Sequence, residues 1–226
     1  MSAEELVDIV DEHDQVVKVV TRREMREGHL PHRASYIVVI DKAGRVLVEL
    51  RTLCKDYEPG KLDACVGGVV QAGEDPVYSA ERELAEEVGI EVTSCQDAPS
   101  TASSATPSIA SSSTPSAAMS AAAPTAVSGT ADATDSATVA TSGTSAVAFH
   151  HLGKMTLPYR SGRGFLIAYL FIAQVDVITV RQKSEVSGIL YLSPEELLRL
   201  QDNCTYDSII SYKEIVKRAR EQGIIA

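Results

Sequence analysis

The sequence has no tryptophan, and aromatic side chains of all kinds make up only 5% of its 226 residues. Basic residues are also few, since 21 Lys and Arg stand against 31 Asp and Glu, for a formal net charge of −10. A chain without a basic excess is not expected to bind nucleic acids generally or an anionic membrane surface. It contains no run of 18 apolar residues, so no transmembrane helix is expected.

The sequence also lacks the spacings that mark common zinc and redox sites. Its four cysteines, at positions 54, 65, 95 and 204, form no CxxC pair. This spacing favours reduced thiols over a disulfide framework or a zinc site. The first residues resemble neither a signal peptide nor a transit peptide. Together these features predict a cytoplasmic protein.

One segment is unlike the rest of the chain. Between positions 98 and 147, 37 of 50 residues are Ala, Ser or Thr, and the segment contains no aromatic or basic side chain. Such a composition buries little apolar area, so it cannot offset the entropy lost on ordering. We predict a disordered insert at 98–147, with an Ala-rich helix as the alternative, carried by a single domain formed by residues 1–97 and 148–226.

The remaining residues predict short strands alternating with helices, which is typical of an α/β fold with a mixed sheet. Two hairpins are expected, formed by 6–10 with 16–20 and by 36–40 with 46–50, with a charged helical turn at 21–28 between them. Further strands are expected at 62–70, 90–92, 149–157, 164–175 and 188–192. Helices are expected at 75–88, after a capping box that opens at Ser193, and at 208–221.

The helix predicted at 75–88 has the strongest chemical pattern. Its glutamates at positions 83, 86 and 87 have i, i+3 and i+4 spacing, so they project from one side of the helix. A solvated acidic face would give the same pattern. However, the helix also has an apolar stripe and directly follows a Gly-rich segment, so these acids could gather hard oxygen ligands for Mg²⁺ or Mn²⁺.

This segment resembles the Nudix box, Gx5Ex7REUxEExGU, in which U is an aliphatic residue. Every fixed position is present, at Gly68, Glu74, Arg82, Glu83, Leu84, Glu86, Glu87, Gly89 and Ile90. The resemblance implies an α/β/α sandwich and a hydrolase that cleaves a diphosphate linked to another group. It also implies roles for individual residues. Glu83, Glu86 and Glu87 would bind the metal, together with the Gly67 carbonyl, while Arg82 and Glu74 would orient Glu83.

In some members of the family a loop carboxylate acts as the general base. Glu185 lies in the corresponding loop here, before the strand predicted at 188–192, although an exposed loop acid is the alternative interpretation. Upstream of the box, His32-Arg-Ala, Arg51-Thr-Leu-Cys-Lys55 and Pro59-Gly60 resemble the branch related to isopentenyl diphosphate isomerase. That resemblance implies that Arg51 and Lys55 bind the substrate diphosphate.

The leading interpretation is a Mg²⁺- or Mn²⁺-dependent hydrolase of a nucleoside or related small-molecule diphosphate or triphosphate. The first alternative is an isomerase of prenyl diphosphates. It is weakened because Gly67 and Val69 stand where that enzyme has its catalytic Cys and a metal-binding His, and Cys65 is two residues away. The second alternative is a non-catalytic module that binds diphosphates. Tyr159, Arg160 and Arg163 are candidate substrate contacts, and the oligomeric state stays open.

Overall fold

The structure is a computed structural model that describes residues 4–92, 148–176, 184 and 186–226. All of these residues belong to one compact unit. The segment predicted to be a disordered insert, 98–147, lies outside the described residues, and so does the candidate base Glu185.

The described residues form eight strands and four α-helices, which alternate along the chain. The strands are β1 Leu6–Val10, β2 Val16–Thr21, β3 His32–Asp41, β4 Val46–Arg51, β5 Leu62–Asp63, β6 Ala148–Pro158, β7 Phe165–Val175 and β8 Val186–Leu192. The helices are α1 Arg22–Gly28, α2 Pro76–Val88, α3 Pro194–Arg199 and α4 Tyr206–Glu221, with a short 3₁₀ turn at Gln201–Asn203.

The strands form one mixed sheet built around β3 and β4. Strand β3 pairs with β7 in parallel over its whole length, and β7 pairs with β6 in antiparallel orientation. Strand β4 is antiparallel to β8 and, at its end, to β5. Strands β1 and β2 form an antiparallel hairpin that joins β3 through one residue pair, Ile9 and His32.

Helices cover both faces of this sheet because its strands are apolar on both sides. On β3, Tyr36 and Val38 pack into the cluster that includes Ile215 of α4, while Ile37 and Val39 pack against Leu84 of α2. Successive side chains of a strand point to opposite faces, so a continuous apolar strand needs a cover on each side. The predicted α/β/α sandwich in a single domain is therefore confirmed.

Helix α2 begins and ends at the residues that its local signals predict. The Asp75 carboxylate caps the helix by accepting hydrogen bonds from the amides of Val77 and Tyr78, and Pro76 occupies its first turn. Gly89 ends it in the left-handed conformation with a φ of 70°. Proline is favoured in the first turn of a helix because the N–H it lacks would have no partner there. Glycine is favoured just past the end because it adopts a positive φ at little cost.

Two strand predictions were wrong. Residues 90–92 do not form a strand. The strand predicted at 62–70 contains a two-residue strand, β5, followed by isolated bridges from Val66 to Ile37 and from Val69 to Ala34. The regular ladder is interrupted because Gly67 has a φ of 137°, a conformation outside the range of a β-strand.

Candidate active site

Helix α2 places two of its three box glutamates inside the protein. Glu83 and Glu87 are only 1% and 3% exposed, and they lie on the same side of the helix as the buried Leu84 and Ala80. Glu86 is at the rim, with a side chain that is 47% exposed. The three acids are therefore close together, but only two of them point into the fold.

Arg82 connects these glutamates to the loop that precedes the helix. Its Nε and Nη2 donate to the two carboxylate oxygens of Glu74 at 2.8 and 3.2 Å. Its Nη1 donates to Glu83 at 3.1 Å and to Glu86 at 3.2 Å. Burial raises the pKa of Glu74, but the hydrogen bonds from Arg82 and the Gln71 amide outweigh this effect and lower it overall. The guanidinium thus fixes the orientation of three carboxylates at once.

Gly67 lies directly beside the buried end of this group. Its amide is 3.3 Å from Oε2 of Glu87, so residue 67 adjoins one of the proposed metal ligands. A Cβ at this position would be 2.2 Å from the backbone oxygen of Ser35. Only glycine lets the chain pass this close to β3 and bring its backbone to the carboxylates.

The two cations that were expected to bind diphosphate have different environments. Nζ of Lys55 is 3.8 Å from Oε1 of Glu87, which places Lys55 at the carboxylate group. Arg51 is mostly buried and donates to Asp63 at 2.6 Å and, through two nitrogens, to the carbonyl of Tyr57. These bonds fix the loop after β4 and leave Arg51 fewer donors for a substrate than the sequence pattern suggests.

One site residue was missed by the sequence analysis. Glu49 on β4 is 5% exposed, and its Oε1 has no hydrogen-bond partner. Burial, together with the negative charge of Asp63, raises its pKa to about 8, although Lys55 and Arg51 oppose the shift. An acid that directly follows the apolar run Val46–Val48 in a strand is the signal that could have identified it, because glutamates are almost never fully buried without a partner.

The donor set fits a hard divalent cation. Five carboxyl groups and two cationic side chains come together here, namely Glu49, Glu74, Glu83, Glu86 and Glu87 with Arg82 and Lys55. If all are ionised, three negative charges are in excess, and Mg²⁺ or Mn²⁺ binds such oxygen ligands while keeping several waters. Among the described residues, no three His, Cys, Asp or Glu side chains already enclose a point as an ion's ligands would. The candidate ligands therefore lie near one another without yet surrounding a single point.

Cys65 does not face this group. Its side chain lies in the apolar cluster on the α4 side of the sheet, and its thiol donates to the carbonyl of Ser208 at 3.5 Å. Burial raises the pKa of the thiol well above its ordinary value. A buried, hydrogen-bonded thiol on the opposite face from Glu83 and Glu87 has the properties of a core residue.

The side chains of His32 and Tyr159 are engaged in packing and hydrogen bonds away from the carboxylate group. His32 is buried, and its Nδ1 lies 3.1 Å from the carbonyl of Leu30 and 2.7 Å from the Tyr159 hydroxyl. The Tyr159 hydroxyl itself donates to Leu30 at 3.0 Å. His151 stacks on Phe171, and His150 lies on the outer strand β6 beside the C-terminal residues.

The remaining candidates for substrate contacts lie on the surface. Arg163 is exposed, and Arg160 is 67% exposed and pairs with Glu58 at 3.1 Å. In the part of the chain that the structure describes, no helix is long and apolar enough to cross a membrane.

Comparisons with known proteins find a matching family model and similar relatives. A family model described as the NUDIX domain matches residues 30–141. An uncharacterized Nudix hydrolase of Yersinia pestis is 56% identical over 86 residues, which are 38% of this chain and 47% of that protein. The uncharacterized Nudix hydrolase YfcD of Escherichia coli K12 is 51% identical over 90 residues, 40% of this chain and 50% of that one. The chain thus spans about half the length of the curated relatives it matches.

The similarity among solved structures supports the same fold. The crystal structure of DR0079 from Deinococcus radiodurans superposes with a TM-score of 0.53 over 86% of this chain and 87% of that one, at 19% sequence identity. At that identity the match speaks for the fold alone. The complete box from Gly68 to Ile90, the match to the family model and the similar relatives together give one conclusion: the chain belongs to the Nudix superfamily.

Proposed function

We propose that this protein is a Mg²⁺- or Mn²⁺-dependent hydrolase that cleaves the diphosphate linkage of a nucleoside or related small-molecule diphosphate or triphosphate. The observation that carries the proposal is the burial of Glu83 and Glu87 beside the Gly67 backbone, in a group with excess negative charge. Burying carboxylates in this way is costly unless a cation compensates them. A substrate diphosphate could reach the same cation.

In this proposal Glu83, Glu86 and Glu87 hold the metal, with the Gly67 carbonyl as a further ligand. A bound divalent ion supplies charge neutralisation for the diphosphate and lowers the pKa of a coordinated water. Arg82 keeps Glu83 and Glu86 in position through its hydrogen bonds, and Glu74 holds Arg82 in turn. Because each link is charge-assisted, the carboxylates keep their orientation when substrate binds.

A carboxylate then accepts the proton of the attacking water. Glu86 is the most exposed of the three box glutamates, so it is the one on the helix that solvent reaches most easily. Glu185 stays a prediction for the same role. Lys55 is placed to attract a phosphate oxygen near Glu87, and Arg51 supports the loop that carries Lys55.

The test is a screen of nucleoside and small-molecule diphosphates and triphosphates that detects released phosphate and pyrophosphate with Mg²⁺ or Mn²⁺ present. We expect turnover of at least one substrate and its loss in chelator. Glu87→Gln should lower kcat by about 100-fold or more, because a neutral amide is a weak ligand for a hard cation.

The matched control is Glu91→Gln, the same chemical change at an exposed position just past α2. It should leave kcat and KM unchanged. Absence of turnover on the whole panel, or equal activity of the Glu87→Gln variant and wild type, would contradict the proposal. Nucleotide binding without turnover would favour the alternative of a non-catalytic binding module.

The geometry gives no support to prenyl diphosphate isomerisation. That activity would draw on Cys65, whose thiol is buried on the α4 side of the sheet. Formation of an allylic diphosphate from the isopentenyl substrate, lost in the Cys65→Ser variant, would reverse this conclusion. A cytoplasmic location stays a prediction that suits soluble phosphate substrates.

A further inference from the structure

Glu49 has a position that no residue of the Nudix box explains. It follows Leu47 by two residues on β4, and Leu47 packs in the cluster formed with Leu84 and Val88 of α2. Because alternate residues of a strand share a face, the Glu49 side chain points to the α2 side of the sheet. It is close enough to Glu83 for the two carboxylate charges to repel each other.

One carboxylate oxygen of Glu49 has no hydrogen-bond partner within the protein. The residue is 5% exposed, yet its Oε1 makes no hydrogen bond and no solvent reaches that atom. Leaving a buried acceptor without a hydrogen bond is costly, and more so when the group is charged. A site that keeps such an oxygen next to other buried carboxylates is suited to a ligand that supplies positive charge.

The nearby cationic side chains are already engaged with other acids. Arg51 binds Asp63 at 2.6 Å, and Arg82 divides its donors among the three glutamates of the loop and helix. Lys55 lies 3.8 Å from Glu87. The carboxylates around Glu49 therefore outnumber the cations. None of these three cations donates a hydrogen bond to Oε1 of Glu49.

We propose that Glu49 is a further carboxylate of the cation site, and that its Oε1 binds the divalent ion directly or through a water that the ion holds. This inference rests on the metal site of the proposed function and adds a ligand from the sheet to those from α2. A strand residue and a helix residue bound to one ion would tie α2 to the sheet.

The experiment measures Mn²⁺ binding without substrate, by the electron paramagnetic resonance signal of free Mn²⁺, in full-length wild type and the Glu49→Gln, Glu49→Leu, Glu87→Gln and Glu91→Gln variants. Thermal unfolding in chelator gives the metal-free stability of each. We expect both Glu49 variants to weaken Mn²⁺ binding by about tenfold or more. Their metal-free melting temperature should stay equal or rise, because folding no longer has to bury a carboxyl group beside other carboxylates.

A loss of metal affinity without a loss of metal-free stability cannot result from simple damage to the fold. The inference is overturned if the Glu49 variants bind Mn²⁺ within twofold of wild type, or if affinity and metal-free stability fall together. In the first case, loss of binding in Glu87→Gln would leave the proposed function standing. If wild type itself binds no Mn²⁺, the metal site of the proposed function fails, and the inference fails with it.

Discussion

The Gly67→Ala substitution tests whether the close approach of the backbone to α2 holds the site together. Gly67 has a φ of 137°, and an added Cβ would be 2.2 Å from the Ser35 carbonyl oxygen. Backbone strain in such a conformation costs about 1–3 kcal/mol. Overpacking against an immobile backbone atom costs about the same again. We therefore expect the free energy of unfolding to fall by about 3–5 kcal/mol.

The matched control is Gly44→Ala in the turn between β3 and β4. Gly44 also has a positive φ, of 74°, but no atom lies within 4 Å of the place where its Cβ would be. Gly44→Ala should therefore introduce only backbone strain, which lowers the free energy of unfolding by about 1–2 kcal/mol. Urea unfolding followed by far-ultraviolet circular dichroism measures both losses, and Mn²⁺ binding measures the effect on the site.

Mn²⁺ affinity should fall in Gly67→Ala and stay at the wild-type value in Gly44→Ala, because the Gly67 amide contacts Glu87. Equal destabilisation of the two variants would refute the argument from the Ser35 contact. Unchanged Mn²⁺ affinity in a folded Gly67→Ala protein would refute the placement of Gly67 at the metal.

Two further predictions concern His32 and Arg82. Burial, reinforced by the charges of Arg22 and Arg26, lowers the pKa of His32 to about 4 in the folded protein. Since the unfolded value is about 6.5, the unfolded chain binds more protons between these values, and the free energy of unfolding should fall by about 3 kcal/mol from pH 7 to pH 4. His32→Gln should flatten this part of the urea-unfolding profile, and an unchanged profile would contradict the shift. Arg82→Lys should lower Mn²⁺ affinity and kcat by about 10- to 100-fold, because an ammonium cannot reproduce the two-pronged bond to Glu74. Wild-type kinetics in that variant would show that the paired hydrogen bonds from Arg82 to Glu74 do not position the carboxylates.

The sequence predicts helix α2 well because the signals for it are local. Asp75, Pro76 and Gly89 define its ends within a few residues, and the structure uses each of them in the expected way. The strand predicted at 62–70 failed because strand formation depends on a partner elsewhere in the chain. The segment has the apolar residues of a strand, but at Gly67 the backbone departs from the regular hydrogen-bonded ladder and passes close to Ser35.

The partners of charged side chains are equally hard to read from sequence. Arg51 and Lys55 stand four residues apart and look like one anion-binding pair. In the structure Arg51 is held by Asp63, its neighbour across the sheet edge, while Lys55 extends to Glu87 on the helix. Glu49 and Asp63 face each other across β4 and β5. That pairing is a property of strand register, which nothing near Arg51 in the sequence specifies.

The different burial of the three box glutamates, by contrast, follows from helix geometry once the apolar stripe is taken as the reference. At about 100° per residue, Glu87 lies roughly 60° from Leu84 around the helix axis, Glu83 roughly 100° and Glu86 roughly 160° on the same flank. The two nearer acids should be buried and the farthest should reach solvent. The side-chain exposures agree with this division, at 4% for Glu87 and 1% for Glu83 against 47% for Glu86. The i, i+3, i+4 spacing therefore predicts two carboxylates in the core and one at the rim, where solvent water reaches the group.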